Sequence, residues 1–243
     1  MSNYKRVLLK LSGERMSKQG SGRVLSMESI QHLADEVVSL HDNGIQIGIV
    51  LGAGNILRGS EAAEVGFEEA QAHSMGMLAT IINALALQSV LEGMGKYTRV
   101  MTAVEMNSIA EPYIRRRALR HMEKNRIVIL AGGTGNPFFT TDSAGALRAI
   151  ELHADLLIKA TQVDGIYDKD PNKFDDAQHL GDISYKDVLV DNLKVMDGAA
   201  IALCREHNMP LMVCSITGTN SLLNALEGKV KRTLVNNSVE DTK

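Results

Sequence analysis

The chain has few of the residue types that mark several common protein classes. Its 243 residues include no tryptophan, only four phenylalanines and only two cysteines. Cys204 and Cys214 have no second pair and no metal-ligand spacing, which excludes a disulfide scaffold and a zinc finger and favours a reduced, cytoplasmic protein. The formal net charge is −3, from 26 basic and 29 acidic residues, so the composition gives no sign of a nucleic-acid-binding surface.

No apolar run in the sequence predicts a membrane span. The longest, Met75–Leu91, contains Thr80 and Asn83 among other polar residues. The N-terminal MSNYKRVLLKLSGE carries Lys10 among its apolar residues and lacks the apolar core of a signal peptide. We therefore expect a soluble, cytoplasmic protein with neither a membrane nor a nucleic acid as partner.

Two common nucleotide-binding fingerprints are also missing. In the run Gly52-Ala-Gly-Asn-Ile-Leu-Arg58-Gly, Leu57 stands where GxGxxG requires its third glycine, and GxxxxGK[ST] occurs nowhere. Neither a Rossmann dehydrogenase nor a P-loop kinase is supported. The glycines of this run still allow the backbone to approach a phosphate, and Arg58 adds a charged fork, although Gly-rich turns of this kind are common.

Short apolar runs alternate with longer amphipathic ones along the chain. The predicted strands are Arg6–Leu11, Ile45–Leu51, Tyr97–Met101, Arg126–Leu130, Asp155–Lys159 and Leu211–Cys214. The predicted helices are Met27–Asn43, Glu68–Glu92, Pro112–Lys124, Asp142–His153 and Asp197–Asn208, with Pro112 at a first helical position. This alternation predicts one α/β domain over residues 1–243, with a mostly parallel central sheet and helices on both faces.

The stretch Tyr167–Asp182 interrupts this alternation, and it predicts a hairpin-like excursion after the fifth strand. In a sheet of this class, ligands gather at the carboxyl ends of the strands. The sequence segments that follow the predicted strands are therefore the places to look for a site.

The run TGNPFFTTDS, Thr134–Ser143, lies between a predicted strand and a predicted helix. Its small hydroxyl residues, exposed backbone N–H groups and helix N-terminus would converge, which is the chemistry of an anion site. A plain loop with Thr or Asp as helix N-cap is the alternative. That alternative accounts for Asp142 but not for the adjacent Phe138 and Phe139, which suggest a wall for a ring.

Lys10-Leu-Ser-Gly13 closes the first predicted strand. The side chain of Lys10 either extends from the sheet edge into solvent or, with Ser12 and Gly13, places a positive charge and N–H donors at a phosphoryl group. After the fifth strand, Thr161, Tyr167 and Asp170 would supply a hydroxyl, a ring and a carboxylate suited to a purine nucleoside. Two ordinary turns are the alternative there.

A basic run, Arg115–His121, lies on a predicted helix. It is either a solvated helix face or a patch at a subunit interface or for a nucleoside triphosphate effector.

Seven stretches, in this order and covering nearly the whole chain, resemble the bacterial-type uridylate (UMP) kinases of the amino-acid-kinase superfamily. They are KLSGE, GAGNILRG, MGMLAT, EPYIRRRALRH, TGNPFFTTDSA, KATQVDGIYDKDP and LKVMD. The resemblance implies a three-layer α/β/α sandwich, ATP-dependent phosphorylation of UMP to UDP in pyrimidine nucleotide synthesis, and Mg²⁺ with ATP. It also implies a homohexamer regulated by GTP and UTP, with the acceptor held by the N-terminal part and ATP by roughly residues 155–243.

The resemblance also assigns residues by position. The implied catalytic residues are Lys10, Asp142, Lys159 and Asp197, with Asp142 orienting Lys10 and Lys159 neutralising the leaving phosphate. The implied ATP-binding residues are Lys10, Leu11, Ser12, Gly13, Gly54, Arg58, Thr161, Tyr167 and Asp170. The implied UMP-binding residues are Ala53, His73, Thr134, Gly135, Asn136, Pro137, Phe138, Phe139, Thr140 and Thr141.

The chain departs from the family pattern in three places. Ala53 replaces a glycine of the usual GGGN, the segment Lys18–Arg23 only loosely matches the one linked to GTP activation, and His73 replaces an aspartate that binds the UMP ribose. A neutral imidazole offers one acceptor and one donor where a carboxylate accepts twice. Either His73 still contacts the ribose, or a neighbour such as Gln71 or Ser74 does so.

Two other functions fit the same fold. One is a carbamate, glutamate or aspartate kinase, whose small acceptors need no aromatic wall. The other is a non-catalytic nucleotide- or oxyanion-binding protein, which has no need to keep Lys10, Arg58 and Asp142 together.

Overall fold

The computed structural model describes residues 4–18, 20, 22–57 and 66–238. Arg58, one of the residues assigned to ATP, lies outside the described residues. The strands are β1 Arg6–Leu11, β2 Gln46–Leu51, β3 Thr98–Thr102, β4 Glu111–Pro112, β5 Ile127–Ala131, β6 Leu156–Thr161, β7 Ile166–Tyr167, β8 His179–Leu180, β9 Ile183–Ser184, β10 Leu211–Ser215 and β11 Arg232–Asn236. The helices are α1 Met27–Asp42, α2 Glu69–Gly93, α3 Arg115–Glu123, α4 Thr141–Glu151, α5 Tyr185–Val190, α6 Gly198–Glu206 and α7 Ser221–Leu226, with a 3₁₀ turn at Gly13–Met16.

Nine of these strands form one sheet in the order β4-β3-β5-β2-β1-β6-β10-β11-β9. Every neighbouring pair is parallel except β10 and β11. Strands from both halves of the sequence meet at its centre, where β1 pairs with β6 and Lys10 lies opposite Lys159. The carboxyl ends of β1, β2, β5 and β6 therefore point to the same edge, and the loops that follow them are brought together there.

Alternate residues of the central strands enter two separate cores. Val7, Leu9 and Leu11 of β1 pack with residues of α1, α2 and α7 on one face of the sheet. Leu8 packs with residues of α3, α4 and α6 on the other. Because successive strand side chains point to opposite faces, this division confirms a helix–sheet–helix sandwich of three layers.

One helix within the described residues, α2, has the length and apolar composition that would allow it to cross a membrane. However, 44% of its most apolar stretch is buried within the protein. On the same helix, Thr80 and Asn83 are buried and hydrogen-bond to loops of the sheet edge. The core helix of a compact domain accounts for this composition.

The prediction of Pro112 as the first residue of a helix is wrong. Glu111 and Pro112 form β4, which pairs with Met101 and Thr102 of β3, and α3 begins only at Arg115. β4 is the outermost strand, where a residue without an N–H costs no ladder hydrogen bond, so proline is tolerated there. The excursion expected over Tyr167–Asp182 is present as the antiparallel pair β7–β8, which forms a second small sheet.

Candidate active site

Two lysines and one aspartate meet at the centre of the sheet's carboxyl edge. Nζ of Lys10 lies 2.6 Å from Oδ1 of Asp142, and Nζ of Lys159 lies 2.7 Å from Oδ2 of the same carboxylate. Lys10 and Lys159 stand opposite each other on β1 and β6, so their side chains leave the same face of the sheet, while Asp142 lies in the first turn of α4. Lys159 also donates to the carbonyl oxygen of Val195 at 2.6 Å.

All three charged side chains are largely buried, and this setting changes the pKa values of Asp142 and Lys159. Burial opposes ionisation of Asp142, but the charges and hydrogen bonds of Lys10 and Lys159 outweigh it, so the pKa of Asp142 is below its ordinary value. Burial lowers the pKa of Lys159, against the attraction of Asp142 and with added repulsion from Lys10. With all three ionised, the cluster carries one excess positive charge, as required to attract a phosphoryl group.

The loops after β1 and β2 are in very close contact next to this cluster. A Cβ on Gly13 would lie 2.5 Å from the carbonyl oxygen of Gly52 and 2.5 Å from Oδ1 of Asn55, so no other residue fits at Gly13 without moving the loop. Ser12 precedes the 3₁₀ turn that starts at Gly13. Of the other predicted ATP contacts, Leu11 has a buried side chain in the core, so only its backbone can face a ligand.

The loop from β5 to α4 contains nearly all of the predicted UMP-binding residues. Gly132, Gly133 and Gly135 have φ values of +76°, +58° and +82°, and Phe138 has an unusual positive φ of +69°. Phe138 and Phe139 are 61% and 52% exposed, so their rings are available to a ligand.

The N-terminus of α4 begins where this loop ends. Thr140 is the N-cap, and its Oγ1 accepts from the backbone N–H groups of Asp142 and Ser143. The sequence allowed either a threonine or an aspartate as the N-cap of this helix, and the structure shows that it is Thr140. The carboxylate of Asp142 therefore remains available to pair with Lys10 and Lys159.

His73, which belongs to α2, lies against the predicted UMP loop. Its ring centroid is 5.3 Å from that of Phe138, with the ring planes tilted by 55°. Its Nε2 lies 3.9 Å from the carboxylate of Glu69 one turn earlier. The histidine is therefore placed beside the predicted acceptor site, while Ala53 lies in the loop after β2.

Asp197 lies at the N-terminus of α6 and joins it to α4. Its carboxylate accepts from the backbone N–H of Ala200 at 2.9 Å, from Oγ of Ser143 at 2.8 Å and from Oγ1 of Thr140. These bonds fix the two helix N-termini against each other. Asp197 does not contact either lysine through a hydrogen bond or ion pair among the described residues, so it adjoins the charged cluster through Thr140 and Ser143.

A cavity of about 620 Å³ lies beside Lys159, and its volume is within the range of small-molecule and cofactor sites. Thr161, Tyr167 and Asp170, the residues predicted to hold the adenosine part of ATP, all line it. The hydroxyl of Tyr167 donates to Oδ1 of Asp164 at 2.6 Å, and this bond raises the pKa of Tyr167 to about 12. The structure thus brings the three residues to one cavity that adjoins the charged cluster.

A second cavity, of about 520 Å³, is lined by the 3₁₀ turn and α1 and by none of the three residues of the charged cluster. Its lining includes Arg15, Lys18 and His32 but none of the predicted site residues. The cavity that contains Lys159 is therefore the one that fits the predicted site.

Sequence reasoning missed several residues that hold the site together. Asn83 of α2 hydrogen-bonds to Gly52 and Asn55 in the loop after β2. Thr80 accepts from the backbone N–H of Gly132 in the loop after β5, and Ser143 donates to Asp197. The available signal was the presence of Thr80 and Asn83 within the longest apolar run of the sequence, because buried polar groups need partners. Their partners depend on how α2 crosses the sheet edge.

Comparison with known proteins agrees with this architecture. The model of the amino acid kinase family matches residues 5–215. The uridylate kinase of Rickettsia typhi is 52% identical over 233 residues, which cover 96% of this chain and 95% of that protein. The uridylate kinase of Dichelobacter nodosus is 50% identical over 233 residues, 96% of each chain.

Solved structures give the same result. The crystal structure of UMP kinase from Bacillus anthracis matches with a TM-score of 0.93 and 40% identity over 97% of each chain. That of UMP kinase from Ureaplasma parvum matches with a TM-score of 0.91 and 37% identity, over 96% of this chain and 98% of that one. The chain therefore belongs to the amino acid kinase family, and within it to the uridylate kinases.

Proposed function

We propose that the protein transfers the γ-phosphoryl group of ATP to UMP and forms UDP. The observation that carries the proposal is the cluster of Lys10, Lys159 and Asp142, which lies between the 620 Å³ cavity and the loop with Phe138 and Phe139. The UMP phosphate is already ionised, so it attacks without a general base. The rate then depends on alignment of the two substrates and on neutralisation of the charge on the moving group.

In this proposal the residues divide by substrate. Lys10, Ser12 and Gly13 face the ATP phosphates, and Thr161, Tyr167 and Asp170 hold the adenosine part in the cavity. The loop from Thr134 to Thr141 binds UMP. Asp142 contacts both lysines, so its role is to fix their ammonium groups on the transferring and leaving phosphates.

A magnesium ion is proposed to arrive with ATP. Among residues 4–18, 20, 22–57 and 66–238, no group of three or more His, Cys, Asp or Glu side chains could hold a metal ion. In kinase sites Mg²⁺ takes most of its ligands from phosphate oxygens and water, with one or two carboxylates at most. This chain's residues fit a metal carried by the nucleotide.

A coupled assay for ADP, with UMP, CMP, dUMP and carbamate as acceptors, tests the function. UMP is expected to be turned over well ahead of the others, because a site that hydrogen-bonds one base edge leaves its own groups unpaired with the wrong base. Equal turnover of CMP and UMP contradicts the assignment. Preferred turnover of carbamate instead supports the other kinases of this fold, and no turnover of any acceptor supports a binding protein.

We further propose a cytoplasmic homohexamer that acts in pyrimidine nucleotide synthesis and responds to GTP and UTP. Leu78 and Ile82 on α2 are 45% and 49% exposed, which favours burial of this apolar helix face between subunits. The basic run at Arg115–Arg120 would lie near a subunit boundary. A monomeric mass in light scattering contradicts the hexamer, and unchanged turnover with added GTP and UTP contradicts the regulation.

A further inference from the structure

Helix α2 contacts both of the loops that meet at the proposed site. Its residues 73, 77 and 80 are spaced by four and three positions, so they lie along one face. The ring of His73 packs against Phe138, and a Cβ on Gly133 would lie 3.8 Å from Cγ of Met77. The three side chains therefore lie along the loop from β5 to α4, although α2 is far from that loop in sequence.

The contact of Thr80 with this loop is made by a buried hydroxyl. The backbone N–H of Gly132 donates to Oγ1 of Thr80 at 2.9 Å, and Thr80 itself donates to the carbonyl oxygen of Met77 at 2.7 Å. Thr80 is 3% exposed, so water cannot replace it as the partner of Gly132. The hydroxyl therefore holds the point at which the proposed UMP loop leaves β5.

One turn further along the same helix, an amide holds the other loop. Nδ2 of Asn83 donates to the carbonyl oxygen of Gly52 at 2.8 Å and to Oδ1 of Asn55 at 2.8 Å, and Nδ2 of Asn55 donates back to Oδ1 of Asn83 at 3.0 Å. Asn83 is fully buried. Gly52 and Asn55 are also the groups that lie close against Gly13, so Asn83 sets the distance between the loops after β1 and β2.

We propose that Thr80 and Asn83 are positioning residues of the phosphoryl transfer, with Thr80 aligning the acceptor loop and Asn83 aligning the phosphate-side loops. This inference rests on the proposed function. Both groups act from one rigid helix, so they set donor and acceptor relative to each other. Both side chains are buried, so they would act through the loops that they hold and not by contact with a substrate. Misplacement of reacting groups by about 1 Å costs roughly a hundredfold in rate, so hydrogen bonds that set loop positions affect catalysis.

Thr80→Val tests the first half, with Thr80→Ser as its matched control. Valine has the shape of threonine but leaves the Gly132 N–H unpaired, whereas serine keeps the hydroxyl. In Thr80→Val the KM for UMP and the UMP dissociation constant from calorimetry are expected to rise about tenfold, with the KM for ATP changed by less than about twofold. Thr80→Ser is expected to bind UMP as tightly as the wild type does. A lower melting temperature with an unchanged ratio of the two KM values shows a purely structural role, and equal effects of serine and valine show that the methyl group matters instead of the hydroxyl.

Asn83→Leu tests the second half, because leucine fills the volume but removes the amide. Its kcat is expected to fall about tenfold and its KM for ATP to rise, with a smaller change in the KM for UMP. If Asn83→Leu does not fold, Asn55→Ala removes the same amide pair from the loop side. Equal changes in both KM values for the Thr80 and Asn83 variants contradict the division of roles.

Amide hydrogen exchange gives a readout that needs no activity. In the free protein, Thr80→Val is expected to speed exchange in the segment 132–141, and Asn83→Leu in the segment 52–57. Wild-type turnover of UMP decides the proposed function, and the exchange pattern of the variants decides this inference, so failure of one is distinguishable from failure of the other. If the two variants change the exchange rates of both segments in the same way, or change neither, the inference is overturned.

Discussion

The charged cluster and the loops that face it are built in opposite ways. Lys10 and Lys159 stand on adjacent strands at the centre of the sheet, and their side chains are 13% and 19% exposed. Phe138 and Phe139 lie on a loop with left-handed backbone at four positions, and both rings are more than half exposed. The sheet itself therefore places the charges, whereas the recognition surface depends on neighbouring groups to hold its loop.

A functional difference follows from this structural one. Changes in the charged cluster are expected to reduce the rate of transfer with little effect on nucleotide preference. Changes around the loops are expected to alter preference and KM, with smaller effects on the rate. Variants at four positions separate the two regions.

Lys10→Ala has the largest expected effect. Removing one preorganised charge from the transferring phosphoryl group is expected to reduce kcat by roughly a hundredfold or more, while UMP binding and the unfolding transition stay nearly unchanged. The coupled assay, calorimetry and thermal unfolding measure the three quantities. Lys5→Ala, at an exposed position just before the same strand, is the control and keeps full activity. Loss of a cooperative unfolding transition in Lys10→Ala shows instead that the lysine is structural.

Asp142→Asn is expected to reduce kcat by about tenfold to a hundredfold, because Lys10 and Lys159 lose the carboxylate that holds both. The variant also changes the response to acid. The pKa of Asp142 is lowered by folding, so its contribution to the free energy of unfolding is present above the ordinary value of 3.8 and is lost as the pH falls through the lower folded value.

Urea unfolding at a series of pH values between about 6 and 2 measures that loss. The wild type is expected to lose stability more steeply than Asp142→Asn at the acid end of this range. Asp35→Asn, at an exposed position on α1, is the control and follows the wild type. Parallel curves for the wild type and Asp142→Asn contradict the prediction.

His73→Asp and His73→Phe probe the recognition surface, with an expected effect of about fivefold. A carboxylate accepts from both ribose hydroxyls, so His73→Asp is expected to sharpen the rejection of dUMP. Phenylalanine keeps a ring against Phe138 but has no nitrogen, so His73→Phe is expected to weaken the preference for UMP over dUMP. The ratio of kcat/KM for UMP and dUMP measures both. An unchanged ratio in both variants shows that the ribose is held by another residue.

Tyr167→Phe has the smallest expected effect. It removes the hydrogen bond to Asp164 and keeps the edge-on contact between the Tyr167 and His179 rings. The KM for ATP is expected to rise by about twofold to fourfold, since a single partly exposed hydrogen bond is lost, with the KM for UMP unchanged. Tyr97→Phe, at a residue that is largely exposed, is the control. A rise in the KM for UMP instead contradicts the assignment of this cavity to ATP.

The long elements of the fold were predictable because their own residues carry the pattern. The six predicted strands are all present, with ends shifted by up to two residues, and Glu68 and Asp197 precede helices as N-cap residues. The two-residue strands β4 and β9, the six-residue helices α5 and α7 and the five-residue strand β11 were missed. The two-residue strands and the six-residue helices have too few residues for a periodic signal, and they form because a neighbouring strand or core accepts them.

The site was predictable to a different extent in its two regions. The loop residues from Thr134 to Thr141 are contiguous, so their chemistry could be recognised as a unit in the sequence. The grouping of Lys10, Asp142 and Lys159 was implied only by resemblance, because the three lie on separate elements that the sheet brings together. Thr80 and Asn83 carried a weak signal, and Arg58 lies outside the described residues.

The alternation of strands and helices, the residues that follow each strand and the relationship to the uridylate kinases could all be read from the amino-acid sequence. These properties depend on local pattern and contiguous motifs. Which of these residues meet in space depends on the folded arrangement of the sheet and helices. The pairing of β1 with β6 sets Lys10 opposite Lys159, and the packing of α2 across the sheet edge gives Thr80 and Asn83 their partners. Contacts between residues far apart in sequence depend on sheet order and helix packing, which no local pattern specifies.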